Sequence, residues 1–146
     1  MSKSNTFEND LLQLIFNNVD IADVGDAGGL QNSATAGSLY VALHTGDPGE
    51  AGTATTNESA YGSYARVAVA RSGAGWTVAT NTATNFALVQ FPECTSGSET
   101  ITHVSITTAS SGASKILYSG ALSASRAISS GIQPQFAATA LTVTED

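Results

Sequence analysis

Alternating apolar and polar positions run through most of this chain and predict short β-strands. In residues 39–44 every second residue is Leu or Val, and residues 64–69 repeat the alternation with Ala and Val. This period of two is typical of strands that bury one face. Between the two strands lies a polar stretch, residues 45–63, which exceeds the ~12–15 residues that compact domains usually leave without regular structure. We expect such a loop to be either functional or disordered.

A helical pattern is present only near the N-terminus. Apolar residues spaced three and four apart, among them Phe7 and Leu11, fall on one side of a helix over residues 4–17, and Leu12 and Phe16 widen this stripe. Asn5 is the predicted cap, and Glu8 completes a capping-box pairing with it. A helix of about three turns is marginal by itself. We therefore expect it to dock on its own sheet or, alternatively, on a neighbouring subunit.

The remaining pattern predicts the fold class. Residues 81–91 are apolar on both faces and are predicted to form a central, covered strand. In total, about seven to nine short strands recur at intervals of roughly 8–12 residues, which is typical of a sandwich or barrel. The prediction is a mainly β protein, an antiparallel β-sandwich of jelly-roll type with one short N-terminal α-helix. Residues 1–37 would form the helix and a connector arm, and residues 38–146 the β-sandwich domain, within one structural unit.

Charge excludes several classes of partner. The net charge is −7, the pI about 4.5, and the five basic residues are dispersed. A nucleic-acid ligand requires clustered cations, and so does an anionic membrane surface, so we expect neither partner. Charged residues make up only 12% of the chain, about half the usual ~25%. This surface suits a protein that assembles with other copies, or simply a neutral β-domain.

Residues with catalytic or metal-binding chemistry are sparse. His44 and His103 are the only histidines, and no Gly-x-Ser-x-Gly elbow accompanies them. Cys94 is the only cysteine, so the chain can form no intramolecular disulfide. The acids at 20, 23 and 26 lack the spacing of a calcium loop. We expect no enzymatic activity, no cofactor and no metal. No signal-peptide pattern is present, so we expect synthesis in a cytoplasm.

Protein contact is the function that these patterns favour. Tyrosines at a loop rim are typical interface anchors, although Tyr61 and Tyr64 fit the edge of a core equally well. The loop acids have solvated roles by default, and the helix offers a second contact element. The predicted contact residues are Phe7, Leu11, Asp47, Glu50, Glu58, Tyr61 and Tyr64.

The sequence also resembles a group of small tailed-bacteriophage structural proteins. The resemblance extends over about residues 38–144. Its motifs are Leu39 to Glu50 (LYVALHTGDPGE), Asn57-Glu58, Tyr61, Tyr64 to Arg71 (YARVAVAR), Phe91-Pro92, Ile101 to Val104 (ITHV) and Gly120 to Leu122 (GAL). The group includes tail-fibre-like proteins and capsid decoration, or cement, proteins. The resemblance implies a virion component with a β-sandwich fold, no enzymatic activity and no ligand residues.

Capsid decoration is the expected role within that group, since the sequence has no coiled coil or repeat that could build a long shaft. The protein would bind the major capsid protein across capsomer joints on the capsid exterior. Many weak contacts together would stabilise the shell. We expect a homo-oligomer, a dimer rather than a trimer, and we expect deletion of residues 49–56 to weaken capsid binding while the domain stays folded. The alternative is a tail-associated or receptor-binding component that recognises the host surface.

Overall fold

The computed structural model describes all 146 residues and shows a mainly β protein with one helix. The elements are α1 (Asn5–Asn17), β1 (Ser38–His44), β2 (Val67–Ala70), β3 (Trp76–Ala79), β4 (Thr82–Asn85), β5 (Val89–Gln90), β6 (Ser98–Thr107), β7 (Ile116–Ser129), β8 (Gln135–Phe136) and β9 (Thr142–Thr144). The sheets have the strand orders β2-β1-β6-β7, β3-β4-β9 and β5-β8. The predicted fold class is confirmed in its β content, antiparallel pairing and single short helix, while the jelly-roll connectivity stays a prediction.

The chain forms two compact units, each built from separate segments of sequence. The first contains Met1–Ser38, Val69–Leu88 and Phe136–Asp146, and the second contains Leu39–Ala68 and Val89–Gln135. The first change from one unit to the other follows Ser38, and the sequence-based division into residues 1–37 and 38–146 stays a prediction. That residues 1–37 behave as a separate arm stays a prediction.

Helix α1 packs on strands β3 and β4 of its own chain, as the first of the two sequence-based alternatives expected. Its buried residues are Glu8, Leu12 and Phe16. Leu12 and Phe16 belong to the predicted stripe as its widened side, whereas Phe7 and Leu11 at its centre are only half-buried. The ring of Phe16 meets Trp76 edge-on, with ring centroids 4.8 Å apart. Edge-to-face aromatic pairs contribute about 0.5–1.5 kcal/mol beyond the apolar area that they bury.

Both ends of α1 are capped. Ser4, not the predicted Asn5, is the N-cap, and its Oγ accepts a hydrogen bond from the Phe7 N–H at 3.3 Å. At the other end Asn18 adopts the left-handed conformation, which terminates the helix. The Arg71 guanidinium donates to the carbonyl oxygens of Leu14 and Ile15 in the last turn. A cation there also complements the negative end of the helix dipole.

Asn85, at the end of β4, breaks the strand that the sequence pattern predicts over residues 81–91. Its side chain is fully buried and donates to the carbonyls of Ala87 and Ala137, both at 2.8 Å, and accepts from the Leu141 N–H at 2.9 Å. These bonds turn the chain away from the ladder, and Phe86 becomes 58% exposed. The prediction of one covered central strand is therefore wrong.

The second unit contains most of the sheet β2-β1-β6-β7. Strand β1 pairs with β6 in an antiparallel register that places Val41 opposite Ile106 and His44 opposite His103. All residues of β1 from Val41 onward are buried, so this strand is covered on both faces. The polar 45–63 loop therefore starts from a strand that is fixed by the core.

Candidate contact site

Arg66 fastens the end of the polar loop. Its side chain is only 1% exposed, and its Nε and Nη2 donate to the two carboxylate oxygens of Glu58 at 2.6 and 2.8 Å. Such bidentate, charge-assisted pairs are among the strongest polar contacts in proteins. The hydrogen bonds to Glu58 raise the pKa of Arg66, so its guanidinium stays charged. The loop is therefore ordered, and one of its ends is bound to the residue directly before β2.

The remaining donors of Arg66 reach a second, distant turn. Nη1 donates to the Ala109 carbonyl at 2.9 Å and to Ser114 Oγ at 3.0 Å, and Nη2 donates to the Gly112 carbonyl at 2.8 Å. All five N–H groups of the guanidinium thus have acceptors. Arg66 joins the 45–63 loop to the 109–114 turn, a role that the alternation of its strand did not reveal.

The two tyrosines predicted as contacts are used within the chain. Tyr61 is 4% exposed and donates its hydroxyl to the Pro92 carbonyl. The Tyr64 hydroxyl accepts from the Leu43 N–H at 3.0 Å and donates to Glu58 at 3.2 Å. Burial raises the pKa of Tyr61 to about 12 and also raises the pKa of Tyr64. Both serve as edge residues of the core, and a role in binding another protein stays a prediction.

His44 connects the loop to the sheet from a fully buried position. Its Nδ1 lies 2.9 Å from the Thr56 carbonyl, and its Nε2 lies 2.7 Å from Ser105 Oγ. A carbonyl can only accept, so Nδ1 carries the proton and Nε2 accepts from the serine hydroxyl. Desolvation by burial lowers the pKa of His44 below 6.5, against the opposing effect of the Thr56 carbonyl. The neutral ring is the form that fits this site.

The stability of the chain is expected to fall as the pH drops below 6.5. In that range the unfolded chain binds a proton at residue 44 while the folded chain does not, so protonation favours unfolding. The loss is at most ~1.4 kcal/mol per pH unit and ends at the pKa of the folded state. Urea unfolding at pH 7.5, 6.5 and 5.5 measures it. The variant His44→Gln should show a shallower dependence of stability on pH, and equal slopes in the two proteins would contradict this assignment.

A buried Ser105–His44 pair resembles part of a hydrolytic triad, but its surroundings give it a structural role. Ser105 is 1% exposed and His44 0%, so both groups are shielded from solvent. The other ring nitrogen binds a backbone carbonyl where a triad has a carboxylate. No three side chains of His, Cys, Asp or Glu lie close enough together to hold a metal ion. No helix has the length and apolar character needed to cross a bilayer.

Comparison with known families identifies the group to which the sequence is related. A family model described as Podophage GP4 fiber I protein gp80 matches residues 2–144. The chain belongs to this family. No curated protein matches the sequence. The gp80 family consists of virion structural proteins of tailed phages, with fibre-like members, which confirms the resemblance found from the motifs and extends it to the N-terminal helix.

The other predicted contacts of this gp80-family chain occupy two kinds of environment. Asp47 and Glu50 are exposed on the polar loop, and the Asp47 carboxylate accepts from the Gly49 N–H at 2.8 Å. Glu58 is committed to Arg66. Phe7 and Leu11, in the first unit, are half-buried on α1. Asp47 and Glu50 therefore offer charge to solvent, and the remaining five act at least partly within the fold.

The loop of this gp80-family member is packed, which changes what a deletion would test. Ala54 is fully buried, and its N–H donates to the Ser114 carbonyl at 2.9 Å. Thr56 supplies the carbonyl that binds His44. Removing residues 49–56 would delete these internal contacts, so the expectation that the domain stays intact does not hold. Point substitutions of the exposed acids are the appropriate test.

Proposed function

We propose that this gp80-family chain is a non-enzymatic fibre subunit of a tailed-phage virion, associated with the tail. The observation that carries the proposal is the match of the fibre-protein family model to residues 2–144. A match of this extent includes both compact units. The function would be mechanical and adhesive, through contacts with other virion proteins or with the host surface.

The order of the polar loop supports a role in contact. The loop is held toward its C-terminal end by the Arg66–Glu58 pair and by the bond of His44 to the Thr56 carbonyl, so the exposed carboxylates of Asp47 and Glu50 are carried on an anchored loop. A preorganised surface binds with a smaller entropic cost than a loop that must order on contact.

A second candidate, capsid decoration, is supported by the dimensions of the elements. The single helix has 13 residues and the longest strand 14, and neither is a repeat that builds a long shaft. A small β-rich subunit of this kind suits attachment to the major capsid protein across capsomer joints on the capsid exterior. Many copies binding through several contacts would stabilise a shell even if each contact were weak.

The location of the protein on the particle separates the two candidates. Purified phage particles would be labelled with gold-conjugated antibody to this chain and imaged by electron microscopy, and copies per particle would be counted by quantitative mass spectrometry. Label at the tail with a few tens of copies or fewer supports the fibre proposal. Label over the head with hundreds of copies supports capsid decoration. Absence of the chain from washed particles would overturn both.

Neutralising the exposed loop acids is expected to weaken attachment. The double variant Asp47→Asn and Glu50→Gln keeps side-chain size and the acceptor for the Gly49 N–H while removing two charges. Exposed charge pairs contribute ~0.2–1 kcal/mol each, so the affinity for the virion should fall several-fold. The readout is the number of copies retained per particle after complementation of a phage that lacks the gene.

The control for this experiment is a second double variant, Asp23→Asn and Glu93→Gln. It changes the net charge by the same amount at exposed positions outside the loop. We expect it to retain the wild-type copy number. Equal losses in the two double variants would show that net charge matters and that the loop does not.

We also propose that the chain assembles as a homo-oligomer, with a dimer favoured over a trimer. Its low content of charge, 12%, leaves little repulsion between copies. Sedimentation equilibrium of the purified chain gives the number of subunits.

A further inference from the structure

Strand β7 ends the four-stranded sheet and pairs on one side only. Its neighbour is β6, and no strand lies along its other edge. At 14 residues it is the longest strand in the chain. Ile101 of β6 pairs with Arg126, and His103 pairs with Ala121. Between these two pairs β7 has four residues, 122–125, whereas β6 has only Thr102. The strand therefore has more backbone groups than β6 can pair.

The side chains of β7 are exposed on both faces of the sheet. From Ser119 to Ala127 every residue is exposed except the half-buried Leu122. An antiparallel sheet usually packs one face on a core, so exposure of both faces over this length is unusual. Natural edge strands are commonly protected by proline, by lysine or by shortness. Between Ile116 and Ser129 there is no proline and only one charged residue, Arg126.

The charge of this region is opposite to that of the remaining sequence. Residues 100–144 contain no acid and two cations, Lys115 and Arg126. The remaining residues contain all 12 acids and the other three cations, a net charge of −9. Both Lys115 and Arg126 are exposed and neither forms an ion pair. By contrast, Lys3 pairs with Glu145 and Arg66 with Glu58.

We infer that the free edge of β7 binds the acidic surface of a second copy of this chain. Backbone groups of the edge would be paired by an extended segment of that copy, the mode known as strand addition. Lys115, directly before the strand, and Arg126, three residues before its last residue, would steer and align the contact through charge complementarity. Pairing β7 with β7 of another copy about its centre would place Arg126 opposite Ser119 and Lys115 opposite Ser130, where neither cation meets an acid. In a two-fold dimer the proposed contact occurs twice.

This inference rests on the proposed homo-oligomer and is tested in solution on the full chain. Hydrogen exchange measured by mass spectrometry at low and high protein concentration should show concentration-dependent protection in peptides covering residues 118–127. Protection confined to other peptides would overturn the assignment of the interface, and a chain that remains monomeric at all concentrations would overturn it as well.

A pair of variants with equal net charge tests the role of the cations. Lys115→Gln with Arg126→Gln gives a net charge of −9, and so does the control, Ala27→Glu with Ala34→Glu, at exposed positions of the connector. The dissociation constant should rise about tenfold in the first variant, because two exposed ion pairs contribute this order of free energy. It should change little in the control. Equal weakening of both would overturn the assignment, and circular dichroism verifies that both fold.

Failure of the proposed β7 interface can be distinguished from failure of the proposed virion role. If the chain is absent from particles but β7 is protected in solution, the virion role fails and the interface stands. If the chain is found on particles but is monomeric in solution, or associates without involving β7, the interface fails and the virion role stands.

Discussion

Replacing Arg66 by Met is expected to lower the free energy of unfolding by about 3–5 kcal/mol. Breaking a buried ion pair costs this much because the remaining charge, here Glu58, stays partly buried without its partner. The carbonyls of Ala109 and Gly112 also lose their donors. Urea unfolding followed by tyrosine fluorescence measures the change.

Two further variants define the origin of this loss. Arg66→Lys keeps the charge but lacks the planar fork that binds both carboxylate oxygens, so its stability should lie between that of the wild type and that of Arg66→Met. Lys3→Met removes a cation from a surface ion pair, Lys3–Glu145, and should cost at most ~1 kcal/mol. If Arg66→Met were no less stable than Lys3→Met, the hydrogen bonds around Arg66 would contribute no more to stability than a surface ion pair.

Replacing Asn85 by Ala is expected to cost about 2–4 kcal/mol. The Leu141 N–H, which lies in the core, loses its acceptor, and an unsatisfied buried donor costs ~1–3 kcal/mol. The cavity left by the deleted amide adds to this. The carbonyls of Ala87 and Ala137 lose donors too, but they lie on exposed residues and water can replace them. Thermal and urea unfolding followed by tryptophan fluorescence measure the change.

The matched control for this substitution is Asn5→Ala. Asn5 is exposed in the first turn of α1, where alanine is tolerated, so its effect should stay within about 0.5 kcal/mol. A loss in Asn85→Ala as small as in the control would show that the hydrogen bonds around residue 85 do not determine the path of the chain there.

The apolar and polar pattern of the sequence correctly predicted the elements that depend mainly on neighbouring residues. The alternation in residues 39–44 appears as β1, and the apolar spacing of residues 4–17 appears as α1. The centre of the buried stripe of α1 lies one position from the predicted centre, on the side of Leu12 and Phe16, because Phe16 packs against Trp76 and Glu8 is buried on the same side. The direction in which a helix faces depends on the sheet that it packs against, and the helix sequence does not contain that information.

The errors and omissions arose where long-range hydrogen bonds override the local pattern. Residues 81–91 are apolar enough for one strand, but Asn85 binds backbone groups more than fifty residues away and exposes Phe86. Arg66 looked like an outward position of an alternating strand, yet its acceptors include three residues of the 109–114 turn. No spacing rule connects residues so distant in sequence. The unusual length of the 45–63 loop therefore indicated the candidate site, but the hydrogen bonds that hold the loop in place were not predicted.

The distribution of aromatic residues makes the two compact units optically distinct. Trp76, the single tryptophan, lies in the first unit against Phe16, whereas all four tyrosines, Tyr40, Tyr61, Tyr64 and Tyr118, lie in the second. Tryptophan emission therefore reports on one unit and tyrosine signals on the other, without any added label. Coincident transitions by the two probes would indicate that the units unfold cooperatively, and separate transitions would give each unit its own stability.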